Sequence, residues 1–74
     1  MDVMKKRSDE QIVALANALA RELYGIMGYN VPETYLFYTA RHPQEVMCWR
    51  MAAKAFEMLA STDVDEALAA IDDE

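Results

Sequence analysis

A 74-residue chain makes one domain, and its single cysteine excludes an internal disulfide. Cys48 and His42 are too few soft ligands for a structural zinc site, so neither a metal nor a cofactor is expected. The net charge of −6 lies wholly in the last 14 residues, at Asp63, Asp65, Glu66, Asp72, Asp73 and Glu74; the seven acidic and seven basic residues before them cancel, which argues against a uniformly acidic nucleic-acid mimic.

Residues 1–7 include Lys5, Lys6 and Arg7 but show no apolar period, and they read as a frayed N-terminus. Ser8-Asp-Glu-Gln11 has capping-box spacing, which predicts a helix start at Ser8. From there Ile12, Leu15, Ala16, Leu19, Leu23 and Ile26 share one face, with Asn17, Arg21 and Glu22 toward the other. Leu15, Leu19 and Leu23 are the core candidates of this first helix, which Gly25 or Gly28 ends.

The segment 28–32 is the main turn, with Asn30 able to cap and Pro32 suited to a first helical turn. Residues 33–40 are ambiguous, since Tyr35, Leu36, Phe37 and Tyr38 favour a strand. No second strand candidate exists to pair with it, so a short connector helix is expected; the exception is a strand that pairs with its own copy across a dimer.

His42 precedes Pro43, which disfavours helix at His42 and opens a long helix at Pro43. That helix has two apolar seams. Val46, Trp49, Ala53, Phe56 and Ala60 repeat at 3-4-3-4 spacing, and the first four are core candidates. Met47, Met51, Ala55 and Met58 lie nearly opposite, with Cys48, Ala52 and Leu59 between the seams and Arg50, Lys54 and Glu57 in a narrow charged wedge. A helix apolar nearly all round must be surrounded. So short a chain, burying only about 60% of its unfolded surface, can hardly do this alone. Met47, Met51 and Met58 are therefore the candidate interface, with Tyr35 and Tyr38 as anchors. The seam remains open to three roles: homodimer interface, foreign-partner site or intramolecular core.

Asp63 and Glu66 repeat the capping-box spacing and start a short last helix with Val64, Ala67, Leu68 and Ile71 inward. The expectation is an all-α domain over 8–71, with two main helices, a short connector helix and a short C-terminal helix, followed by an acidic tail over 72–74.

No catalytic residues emerge, and an enzyme is not expected. Ser8 and Ser61 sit in cap positions, no acid pair faces a common pocket, and Cys48 and His42 are poorly placed to form an activated thiolate. No run approaches a membrane span and no apolar signal region follows the first charges, so a cytoplasmic protein is expected. Arg41, Arg50 and Lys54 allow an alternative, a small DNA-associated regulator; nucleic acid is disfavoured because the recognition-type helix is apolar where base-reading groups would be needed.

The segment Cys48-Trp-Arg-Met-Ala-Ala-Lys-Ala-Phe-Glu-Met-Leu59, followed by Thr62-Asp-Val-Asp-Glu-Ala-Leu68, resembles the C-terminal half of small accessory proteins of tailed bacteriophages and prophages. The likeness covers about a third of the chain and carries over no site residues. It implies a protein that binds and redirects a host protein. Together these features suggest a non-enzymatic protein-interaction module that forms a homo-oligomer and binds a protein partner.

Overall fold

The structure, a computed structural model, describes residues 2–72. Helix α1 spans Asp2–Ile26, α2 spans Pro43–Ala60 and α3 spans Val64–Asp72. A single 3-10 turn over Phe37–Thr39 interrupts the otherwise irregular connector between α1 and α2. The fold is all-α, as the periodicities predict. Three boundaries differ from the sequence reading. The helical backbone of α1 begins at Asp2 and runs through Ser8, so Ser8 is not its cap. The stretch 2–7 contains neither Gly nor Pro, so helix propensity permits the extension, although Lys5, Lys6 and Arg7 sit unfavourably near the positive end of the helix dipole. The connector helix shrinks to one 3-10 turn, and Asp72 closes α3 rather than opening a tail; Asp73 and Glu74 lie outside the described residues.

Each helix end has a local cause. At the end of α1, Gly28 takes φ +95°; its N–H bonds the Gly25 carbonyl at 3.0 Å, and the Tyr29 N–H bonds the Tyr24 carbonyl at 3.2 Å. This is a Schellman closure, which requires the left-handed conformation that glycine adopts without strain. His42 is extended, as its place before Pro43 demands, and its carbonyl accepts the Val46 N–H at 2.9 Å. The His42 side chain makes no cap bond. Asp63 Oδ1 accepts the Glu66 N–H at 3.0 Å and caps α3.

α1 and α2 run antiparallel: Met27 meets Cys48 at one end, and Leu19 shares a groove with Phe56 and Leu59 toward the other. The core between them is built on small side chains. Ala16, Ala20, Cys48 and Ala52 are fully buried, and Val13, Tyr24, Phe37, Trp49, Val64 and Ala67 complete it. The fully buried stripe Val13–Ala16–Ala20–Tyr24 is rotated roughly one residue, about 100°, from the leucine face, which corrects the core assignment at Leu15, while Leu19 and Leu23 still pack against the core. Leu15 is 57% exposed, while Leu19 and Leu23 are half-buried at the margin. Alanines at the seam let the helix axes approach closely, and that closeness displaces the larger leucines to one side. On α2, Trp49 is buried and Val46, Ala53 and Phe56 are half-buried. α3 packs chiefly on α1.

Ser61, at the end of α2, is the one non-glycine residue with positive φ among those described, at φ 49° and ψ 39°. A Cβ is disfavoured in that conformation. Ser61→Gly is therefore expected to stabilise the fold by about 0.5–1 kcal/mol after glycine's own entropy cost. Urea unfolding reads this directly, and a loss of stability would contradict the left-handed cap.

Candidate protein-docking face

Asn17 is the polar residue that organises one side of the α1–α2 pair. It is only 8% exposed, although the sequence pattern places it toward solvent. Its Nδ2 donates to the Tyr35 carbonyl at 2.8 Å, and its Oδ1 accepts the Phe37 N–H at 2.7 Å. One amide thus satisfies two backbone groups of a connector that has almost no regular structure to satisfy them. The register it sets drives Phe37 into the core, 1% exposed, edge-on to both Tyr24 and Tyr35 at 5.6 and 5.0 Å between ring centroids. The signal for Asn17 was present in the sequence: its neighbours on the same helical face are Val13, Ala20 and Tyr24.

Glu45 supplies the second tie. Its Oε2 accepts the Tyr24 hydroxyl at 3.1 Å, and its Oε1 accepts the Tyr35 hydroxyl, so one carboxylate joins α1, the connector and α2. The Tyr35 phenol is pushed up to about 12, first by its hydrogen bond to the Glu45 carboxylate and then by burial. Burial, then the same carboxylate, raises Tyr24. Cys48 is also raised, first by burial and then by the charge of Glu45, and its Sγ lies 3.6 Å from Met27 Sδ. A buried thiol held in its neutral form is a packing group rather than a nucleophile.

These contacts decide where the sequence-derived interface residues lie. Tyr35 and Tyr38 are half-buried against the core, Tyr35 through Glu45 and Tyr38 edge-on to Trp49 at 5.5 Å, which corrects their assignment as interface anchors. The three methionines differ. Met47, Met51 and Met58 are 60%, 44% and 73% exposed. Met47, Met51, Ala55 and Met58 line one shallow groove with Arg50 and Lys54, and Ala55 continues into a second groove with Leu19, Phe56, Leu59 and Ala60. Leu59 is 88% exposed, and Leu19 brings α1 into that second groove; Leu15 is exposed elsewhere on α1, and Ile26 lines a groove with Arg21, Glu22 and Val31. The sequence reading missed the exposure of Leu15, which it had assigned to the core.

The connector and α3 cover the opposite side. Tyr38 and Ile71 share a groove with Val13 and Asn17, and Val64 shares one with Trp49 and Ala53. Arg50 and Lys54 also border that last groove together with Glu57, Asp63 and Asp65, and Lys54 pairs with Glu57 at 2.9 Å. Among the described residues no three His, Cys, Asp or Glu side chains are grouped to hold a metal ion, and no helix is long and apolar enough to cross a membrane. No protein-family model, curated protein or solved structure matches this chain.

Two outcomes follow from this geometry. Asn17→Ala leaves the Tyr35 carbonyl and the Phe37 N–H without partners in a largely dry site, and is expected to cost about 2–4 kcal/mol. That is a large part of the roughly 4–11 kcal/mol typical of a chain this size, and a thermal melt equal to wild type would contradict the role given to Asn17. At alkaline pH the sign follows from the raised tyrosines. The unfolded chain loses these protons from pH 10, before the folded one does, so stability holds below pH 10 and falls as pH rises toward about 12. Glu45→Gln should bring the Tyr35 titration down, read as phenolate absorbance, and an unchanged titration would remove Glu45 as its cause.

Proposed function

We propose that this chain is a non-enzymatic protein-interaction module that docks through the apolar face of the α1–α2 pair. One observation carries the reading. The α1–α2 layer is covered on one side by the connector and α3, while Met47, Met51 and Met58 are exposed along one groove of α2 that adjoins, through Ala55, a second groove holding the exposed Leu59. Helical layers are stable when both apolar sides are buried. A contiguous stripe of this kind exceeds the scattered apolar residues that monomers usually leave bare. Methionine suits such a surface because its unbranched, polarizable side chain repacks against different shapes.

The polar chemistry of the chain points the same way. Asn17, Tyr24, Tyr35 and Glu45 spend their hydrogen-bonding capacity on each other and on the connector backbone. The basic groups offered by the DNA-binding alternative are poorly disposed for phosphate. Arg50 and Lys54 share their groove with three carboxylates, and Arg41 is an exposed residue of the connector.

Met51→Glu tests the reading. Being on the surface, it should change folding stability by less than about 0.5 kcal/mol by circular dichroism. Tagged wild-type chain should retain a protein at stoichiometric level, whether another copy or a foreign chain, and the variant should retain none. Retention of the same protein by the variant would place docking elsewhere. Capture on duplex DNA that weakens steeply with salt would favour the regulator instead.

A further inference from the structure

We draw no further inference here: the strongest candidate, the apolar groove of α2 lined by Met47, Met51, Ala55 and Met58, belongs to the docking face already described, and nothing in the structure shows what covers it.

Discussion

The fold depends on one buried side-chain amide. A connector running from the end of α1 to His42 contains a single 3-10 turn, so most of its backbone polar groups cannot be satisfied by regular structure. Asn17 reaches from the middle of α1 and holds a carbonyl and an N–H two residues apart, at Tyr35 and Phe37. That grip fixes which connector side chain enters the core. Phe37 goes in between Tyr24 and Tyr35, and the two phenols are then placed to share the carboxylate of Glu45. A leucine at position 17 would fill the space but would strand both backbone groups, and in a chain this small there is little stability to spare.

Once the connector is held on one side, the rest of the architecture follows. α3 docks beside it, over the buried stripe of α1, with Val64 and Ala67 facing the core. Among the described residues, the connector and α3 both lie on that side. The methionine stripe lies on the opposite side of the helix pair and stays exposed among the described residues, while Leu19 and Leu23 are half-buried at the edge of the core.

Much of the helix pattern was legible in the sequence. Pro43 marked the start of α2 and Asp63 the cap of α3, and the end of α1 was narrowed to Gly25 or Gly28, of which Gly28 takes the left-handed turn; each acts through a backbone requirement within a few residues. The opposition of Trp49 to Met47, Met51 and Met58 was legible too, because a helix imposes it. The rotation of α1 was not. Leu15, Leu19 and Leu23 outweigh Ala16 and Ala20 on any scale of hydrophobicity, yet close packing favours the alanines at the seam. The role of Tyr35 and Tyr38 was illegible for a different reason. Their partners, Glu45 and Trp49, lie ten or more residues away, and no local spacing reveals such contacts.

The most direct measurement of the central claim, that the α1–α2 face is covered by another chain, is the solvent accessibility of its methionine methyl groups. Nuclear magnetic resonance of methyl-labelled protein with a soluble paramagnetic agent reads Met47, Met51 and Met58 individually. If another copy covers the face, all three methyls are shielded at high protein concentration and become accessible together on dilution; if a foreign chain does, they are shielded together in the complex with the protein that the wild type captures. The helical signals persist in either case. Methyls that are fully accessible at every concentration and in that complex, in a chain that is folded throughout, would contradict the claim.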